Sequence, residues 1–435
     1  MRYCTFCIFG LELVRVKSTD WLHAHFSQSR RRCLHITHLS LLNFRNYASL
    51  ELELPPNIMV LQGDNAQGKS NLLEAIYLLA TSRSPHTTNE RELINWSALR
   101  EELPVCRLAA DVQRAGRNLS LEIALRGKPA ALSEAEDSFS PWQTAPKAPP
   151  IHKRIRVNGV VRRAVDLIGQ INVVLFSVQD INIVGGEPAL RRRYLDITNS
   201  QIDPHYLRQL QRYHRVLWQR NRLLRQIAEN QASPDELSFW DQELVQTGAY
   251  LTVQRDHMIA ELEHLTRVIH DEVSSDQEKL RLAYLRSIDK ERGKGDSRIE
   301  ETAEVYARSL HAARKKEIAQ GMSLVGPHRD DLRFLTDEID LGIFGSRGQQ
   351  RTVALSLKLA EAKFMLSKTG DNPILLLDDV LSELDSQRRH HLLGTVARYQ
   401  QVLMTTTNLD DFEPDFLKQA VLFRVDQGRI EPLSS

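Results

Sequence analysis

The sequence predicts an α/β domain interrupted by an α-helical lobe. Three observations carry that expectation. A glycine loop at 63–70 is framed by an apolar run and a helical run, the order of strand, phosphate-ready turn and helix. A second apolar run, Pro373-Ile374-Leu375-Leu376-Leu377, ends in Asp378-Asp379 toward the other end of the chain. Between the two, from 187 to about 320, glycine nearly vanishes until Gly248, and apolar residues step by three and four instead of two. That period belongs to packed helices.

Bulk properties bound the reading. With 435 residues, the length suits about two to three domains. A hydrophobic content of 42% and a net charge of +1 describe an ordinary globular chain. Any nucleic-acid surface is therefore a local patch and not a property of the whole molecule. No run approaches the ~18 uninterrupted apolar residues of a membrane span, so no membrane partner is expected. The cysteines are Cys4, Cys7, Cys33 and Cys106. They make no disulfide framework, and Cys4-x-x-Cys7 alone falls short of a four-ligand zinc site. A reduced, cytoplasmic protein is the expectation.

Residues 1–34 combine a short apolar stretch with Arg30-Arg31-Arg32 in an order unlike a secretory signal. They read as a poorly ordered extension or as sequence upstream of the true start. From His35, the residues Ile36, His38, Ser40 and Leu42 alternate with Thr37, Leu39 and Leu41 in a strand. Asn43-Phe44-Arg45-Asn46-Tyr47 turns, and Leu50, Leu52 and Leu54 alternate with Glu51 and Glu53 in a half-buried strand. Ile58-Met59-Val60-Leu61 is a buried strand leading into Gly63-Asp64-Asn65-Ala66-Gln67-Gly68-Lys69-Ser70, a match to G-x-x-x-x-G-K-[ST]. Glycines let backbone N–H groups cradle phosphate oxygens, and the following helix, which Asn71 continues, turns its positive end to the same anion. Lys69 would reach the β- and γ-phosphates, and the Ser70 hydroxyl would ligate Mg²⁺. Arg45 is either a surface arginine at a turn or a neighbour of the nucleotide.

Downstream, 90–96 reads as a short helix, and 106–112 and 119–125 as strands. Residues 127–151 are rich in Ala, Ser and Pro without a period, as in a loop insertion. Asn158-Gly159 follows a basic strand and marks a hairpin, and 171–177 is another buried strand. In the helical region, Leu207, Leu210, His214, Leu217, Asn221 and Leu224 set one seam. Leu237, Trp240, Leu244, Leu251, Met258, Leu262, Leu265 and Ile269 set a second. They read as antiparallel helices with a turn near Ser233-Pro234. Arginines 191, 192, 193, 208, 212, 215, 220, 222 and 225 crowd a stretch whose acids are Asp196 and Asp203. A solvated helix face and a phosphate-tracking patch led by Arg191, Arg192, Arg193, Arg208, Arg212 and Arg215 both fit it. The residues 290–295 are a charged loop, and 299–318 a further helix.

After Gly321 the pattern returns to α/β. Residues 323–332 are a polar turn leading into a strand. Phe344-Gly345-Ser346-Arg347-Gly348-Gln349-Gln350-Arg351 opens a helix over 352–366. It is a second anion-ready helix N-terminus. A buried strand ending in carboxylates is where an α/β ATPase holds Mg²⁺. Asp378 would bind the metal through water, and Asp379 would orient the attacking water. Strands at 401–406, 420–425 and 429–432 close the chain.

Glycine loop, inserted helices, serine–glycine loop and carboxylate strand follow in the order of an ABC-type (SMC-like) P-loop ATPase head with an inserted α-helical lobe. In that class Ser346, Arg347, Gly348, Gln349 and Gln350 act in trans, on the nucleotide of a second copy. The expected divisions are 1–34 extension, 35–186 head, 187–320 helical lobe and 321–435 head. At this point the chain resembles the RecF family of bacterial recombination mediators. The resemblance runs over 35–432 and is carried by Leu42–Tyr47, Gly63–Tyr77, Arg191–Asp196, Val325–Leu332, Phe344–Arg351 and Leu375–Asp385. It implies an ATP- and Mg²⁺-dependent homodimer with weak ATPase activity. It also implies binding to single-stranded, duplex and gapped-junction DNA, with RecR, RecO and RecA in one repair pathway. Lys69 and Asp379 are the implied catalytic residues. Three places depart from the expected pattern. Asp379 stands where transporter ATPases carry Glu, and Gln179 lies in Ser177-Val178-Gln179-Asp180. Thr407 or Asn408 replaces a histidine as γ-phosphate sensor. A transporter ATPase subunit and a nuclease-coupled ATPase are the competing classes. The first expects a much shorter spacing from loop to signature, and the second a separate acidic cluster.

Overall fold

The computed structural model describes residues 34–127, 151–274, 279–289 and 298–433. The expected extension (but for Leu34), the interior of the 127–151 insertion and the 290–295 loop lie outside the described residues. The chain divides into two compact units. One takes the residues up to Leu79, Arg83–Arg162 and those from Thr405 onward; the other takes Ala80–Ser82 and Arg163–Met404.

In the first unit, an antiparallel sheet runs in the order Tyr47–Glu53, Leu34–Phe44, Val105–Arg114, Arg117–Gly127, Ile151–Val157 and Val160–Arg162. The first strand's alternation departs from expectation. Leu34 and Ile36 are buried, and then Leu39 and Leu41, while Leu42 faces out. A register shift between Ile36 and His38 explains it. One extra residue in a strand flips the inward set, so a strict period of two fails across the bulge. The Asn158-Gly159 hairpin is present, with φ of 52° and 76°. Two left-handed residues in a row make the turn whose twist suits a tight hairpin. Apart from this sheet, Ile58–Gln62 pairs in parallel with Ala420–Asp426, which pairs antiparallel with Arg429–Pro432. The expected helix at 90–96 is a single 3₁₀ turn, Glu90–Leu93.

The second unit holds long helices: Pro188–Ile202, Pro204–Ala228, Leu237–Val273, Ile299–Gln320 and Arg347–Thr369. Its strands Val173–Ser177 and Ile374–Asp378 pair in parallel. Leu280–Leu285, Asp331–Thr336 and Ile339–Asp340 form a small antiparallel sheet. The Leu280 strand was not foreseen, although its alternation is present in the sequence. The turn between the two long arm helices falls at Pro234–Glu236, where expected. The first arm seam holds at Leu207 and Leu224 and in part at Leu210 and Leu217, which pack against the core, but the interior face is wider than that seam. The buried positions are Tyr206, Leu207, Tyr213, Val216, Arg220, Leu223, Leu224 and Ile227, so the expected Leu207 and Leu224 are inside, while His214 is exposed. The seam of leucines leaves out an interior arginine, Arg220, and two tyrosines with hydroxyl partners, Tyr206 and Tyr213, which share the buried face.

That interior is polar as well as apolar. Arg255 donates to Asp196 at 2.8 Å and to the Pro327 carbonyl at 2.6 Å. The Tyr213 hydroxyl lies 2.6 Å from His328 Nδ1, and Nε2 lies 3.2 Å from the Ser323 carbonyl. A carbonyl only accepts, so Nε2 carries a proton, and Nδ1 faces the Tyr213 hydroxyl. Burial, with Arg329 and Arg192 adding to it, pushes its pKa down from 6.5 to about 4. A lowered folded-state pKa means that the unfolded chain takes up the proton first. The stability this group contributes is full above about 6.5 and is lost as pH falls toward 4. Urea midpoints should therefore drop across that window, and the drop should be shallower in His328→Gln. Equal slopes for both proteins would refute the assignment.

Candidate nucleotide-binding site

In the first unit the phosphate loop is built by steric demand at its two ends. Gly63 N–H donates to the Thr406 carbonyl at 3.2 Å. A Cβ at Gly63 would stand 2.3 Å from the Val425 carbonyl oxygen. Gly68 sits at φ 116°, and a Cβ there would meet the Asn46 amide at 2.5 Å. Only glycine accepts that dihedral without strain. Asp64, Asn65 and Ala66 are exposed, and Ala66 is left-handed at φ 66°. Helix Lys69–Thr81 starts where the loop ends. The Lys69 ammonium is buried and donates to the carbonyls of Gly63 at 2.6 Å and Asp64 at 2.8 Å. It thus spans the mouth of the loop, the place from which a lysine reaches a terminal phosphate.

The loop is braced by residues that the sequence reading passed over. Asn46 donates to the Gln67 carbonyl at 2.8 Å and accepts from the Asn71 amide at 2.8 Å. The Tyr47 hydroxyl donates to the Gly68 carbonyl at 3.0 Å. Far along the chain, Gln427 N–H donates to the Gln67 side chain at 2.7 Å, and Gly428 N–H to its carbonyl at 3.0 Å. Asn71 and Gln67 are thus placed here as braces of the loop. Arg45 is engaged by the loop's own helix. Its Nε and Nη2 form a two-pronged pair with Glu74 of the loop's helix, both at 2.8 Å, and Nη1 donates to the Glu92 carbonyl at 2.9 Å. The Glu74 side chain is fully buried. Arg45 and Ser84, whose hydroxyl donates to Glu74, satisfy it. Arg45 positions the helix on which Lys69 and Ser70 sit. Adjacent asparagine and tyrosine in one turn were the available signal. An Asx side chain aimed at a tight loop does not announce its target from spacing alone.

Fit to a triphosphate follows from these features: an exposed left-handed crest, a glycine that tolerates no Cβ, a lysine at the mouth and a helix N-terminus behind it. Asn408 caps the short helix Leu409–Asp411 by accepting from Asp410 N–H at 3.0 Å. Thr407 beside it is exposed.

In the second unit Ile374–Leu377 are fully buried and Asp378 is half-buried at the strand's end. Asp379 turns left-handed at φ 51°, a conformation that Asp tolerates better than most residues. Its carbonyl accepts from the Ser382 hydroxyl at 2.7 Å. Ser346 and Gln349 form a reciprocal cap: Gln349 N–H donates to Ser346 Oγ at 3.2 Å, and Ser346 N–H to Gln349 Oε1 at 2.9 Å. Ser346, Arg347 and Gly348 are exposed. Gln350 turns inward and donates to the Leu341 carbonyl at 2.9 Å. Ile343 and Phe344, ahead of the cap, are 67% and 75% exposed. Gln179 is also exposed. Asp180 next to it takes an N–H from Ser177 at 2.7 Å. Its pKa is pushed up to about 6 by burial, against the pull of Lys358.

The expected arginine patch divides. Arg191 is 8% exposed and held by Asp331 at 2.6 and 3.0 Å. Arg192 donates to the Asp330 carbonyl at 2.8 Å. Arg220 is fully buried. Arg192 is half-buried, whereas Arg191 and Arg220 are interior residues whose long stems reach acceptors inside, which a count of charges along the sequence does not reveal. Arg193 is half-buried. Arg208, Arg212, Arg215, Arg222 and Arg225 lie exposed on Pro204–Ala228, a helix without an acidic residue. Trp218, at the same helical spacing, is 61% exposed. Arg212 pairs with Glu243 across the helix pair at 2.6 Å.

Among the described residues, no group of three or more His, Cys, Asp or Glu is placed to hold a metal. No helix among them is long and apolar enough to cross a membrane. The family profile described as "RecF/RecN/SMC N terminal domain" matches residues 35–428. The DNA replication and repair protein RecF of Chloroflexus aggregans is 45% identical over 404 residues, which cover 91% of this chain and 99% of that one. RecF of Herpetosiphon aurantiacus is 44% identical, covering 92% and 100%. A solved structure of the recombination mediator protein RecF with ATP, in the RecFOR pathway, superposes with a TM-score of 0.79 at 30% identity, over 95% of this chain and all of that one. With a phosphate loop, a capped serine–glycine helix and a carboxylate strand in an ABC-type ATPase head, the chain belongs to the RecF family of DNA replication and repair proteins.

Proposed function

We propose that this protein is an ATP-switched DNA clamp of recombinational repair and replication restart. ATP and Mg²⁺ join two copies on gapped or duplex/single-strand junction DNA, and slow hydrolysis releases them. The observation that supports this most directly is the pairing of a formed phosphate loop, Lys69 at its mouth, with a capped signature helix that leaves Ser346, Arg347 and Gly348 exposed. In this reading Ser70 and Asp378 hold Mg²⁺, and Asp379 orients water. The ion's chemistry is neutralisation of charge on the β- and γ-oxygens. The reading keeps a head at 35–186 and 321–435, an arm at 187–320, a cytoplasmic setting, and work with RecR, RecO and RecA.

The exposed arginines of Pro204–Ala228 supply the DNA surface, with Trp218 offering a face for an unpaired base. Equilibrium binding to single-stranded, duplex and gapped DNA, with and without ATP, tests the proposal. Three to five arginine–phosphate contacts give a log–log salt slope of roughly −3 to −4.5. Arg208→Gln/Arg215→Gln/Arg222→Gln should make the slope shallower by about 3. A salt slope unchanged by that triple variant would remove the arm helix as the DNA surface. ATP-independent binding with no change in assembly would sink the clamp itself.

A further inference from the structure

We infer that Arg191 is a positioning residue for the signature loop, set against the signature residues by the backbone of Val184–Gly186. The inference rests on the proposed trans role of that loop. Arg191 stands in the first turn of Pro188–Ile202. Its guanidinium divides its donors between two elements. Nε and Nη2 clamp both carboxylate oxygens of Asp331, the first residue of strand Asp331–Thr336. Nη1 donates to the Gly186 carbonyl at 2.6 Å and the Val184 carbonyl at 3.4 Å. Those carbonyls end the short helix Ile181–Gly185.

The same short segment is the seat of the signature loop. A Cβ on Gly342 would lie 2.7 Å from the Val184 carbonyl oxygen. A Cβ on Gly185 would lie 3.0 Å from the Gln350 side-chain oxygen. Gln350 in turn holds the Leu341 carbonyl. The strand headed by Asp331 pairs with Ile339–Asp340, and Leu341–Phe344 follows directly. Arg191 therefore fixes both the seat of the loop and the hairpin that delivers the chain to it. Glycine at 342 and 185 leaves no side chain to absorb a shift, so a displaced Val184–Gly186 backbone moves the loop itself.

Lysine keeps the charge at 191 but loses the planar fork and the reach to two carbonyls. Asp331→Asn loosens the same clamp from the other side and serves where Arg191→Lys folds poorly. Each full-length variant is compared with wild type and Ser346→Arg in three measurements. They are affinity for a fluorescent ATP analogue at dilute protein, ATP-driven dimerisation by light scattering, and DNA affinity without nucleotide. The expected result for Arg191→Lys or Asp331→Asn is ATP and DNA affinities within about twofold of wild type and dimerisation weakened about tenfold or more. That is the effect of about one lost charge-assisted hydrogen bond. ATPase assays should show reduced kcat at unchanged KM. If Ser346→Arg loses the dimer while both clamp variants keep it, the positioning role is overturned and the trans reading stands. If Ser346→Arg dimerises normally, the trans reading fails first. If Arg191→Lys weakens DNA binding and leaves the dimer intact, Arg191 is a phosphate contact and the inference is wrong.

Discussion

Lys69→Ala should reduce ATP affinity by about a hundredfold or more and abolish nucleotide-driven dimerisation. Two charge-assisted hydrogen bonds to the β- and γ-phosphates are each worth roughly 1.5–3 kcal/mol, so their joint loss reaches at least two orders of magnitude. The fold should survive. The acceptors that Lys69 leaves behind are carbonyls of Gly63 and Asp64, on a loop whose crest is solvated. The bracing by Asn46, Tyr47 and Gln427 does not pass through the lysine. Ser346→Arg is the matching variant. It removes a cap worth about 1 kcal/mol and sets a long cation on an exposed helix start. ATP affinity should stay at the wild-type value while the dimer is lost. Fluorescent-analogue titration and light scattering separate the two outcomes. A Lys69→Ala protein that still dimerises with ATP would show that the loop is not the switch. A Ser346→Arg protein that dimerises normally would remove the signature from it.

Much of this site was legible because its chemistry uses residues with one physical reason to be there. Gly68 at φ 116° and a lysine–serine pair opening a helix are dictated by phosphate geometry. A strand buried through Leu377 and ending in acids sets carboxylates at the carboxyl end of a parallel strand, the pattern on which the proposed metal role rests. The serine–glycine helix start was legible for a similar reason, since Ser346 and Gln349 cap each other at three-residue spacing. The braces were less legible. Asn46 and Gln427 bind backbone groups that a strand turn and a distant hairpin bring near, and no local period encodes that meeting. Arg45 shows the same limit from the other side. A turn arginine next to a phosphate loop suggests an anion, yet its carboxylate partner, Glu74, is on the loop's own helix.

The fold was read where side chains follow a clean period and misread where a polar residue took an interior position. Ile36 and Leu39 face inward on either side of a bulge, and a period of two cannot anticipate the added residue. In the arm, the interior holds Arg220, Tyr213 and Tyr206. Scored by hydrophobicity alone, Arg220 belongs outside, so a seam drawn through Leu207, Leu210, Leu217 and Leu224 catches only part of the buried face. The arginine count over 191–225 mixes interior and outer residues for the same reason. Arg191 is held by half-buried Asp331, and Arg220 by buried Glu317 and half-buried Asp241, and the phosphate-facing candidates are those left on the outer face.

Arg220→Ala should destabilise the second unit by about 3–5 kcal/mol, the cost of leaving one member of a buried ion pair without its partner. Arg220 donates Nη2 to Glu317 at 2.7 Å, Nε to Asp241 at 2.7 Å and Nη1 to the Ser323 hydroxyl at 2.7 Å. Glu317 is as fully buried as Arg220. It also takes the Leu324 N–H at 2.7 Å, so it cannot turn out to water without breaking the chain's exit from helix Ile299–Gln320. Burial opposes the charge on Arg220, but Glu317 and Asp241 outweigh it and hold its pKa above the usual arginine value. The alanine variant therefore strands a carboxylate in the interior. Arg220→Met/Glu317→Leu removes both charges at similar volume and should recover most of the loss, because a buried pair gains little over a packed apolar one. Urea denaturation followed by far-ultraviolet circular dichroism measures both. A loss below about 1 kcal/mol in Arg220→Ala would mean that Glu317 finds water. Failure of the double variant to recover would mean that Asp241 and Ser323, not Glu317, set the cost. Three helices meet at Arg220 through Asp241, Glu317 and its own helix. Loss of their register would displace the outward arginines of Pro204–Ala228 as well, so the same variant should lose DNA affinity at temperatures where its ATP affinity is still intact.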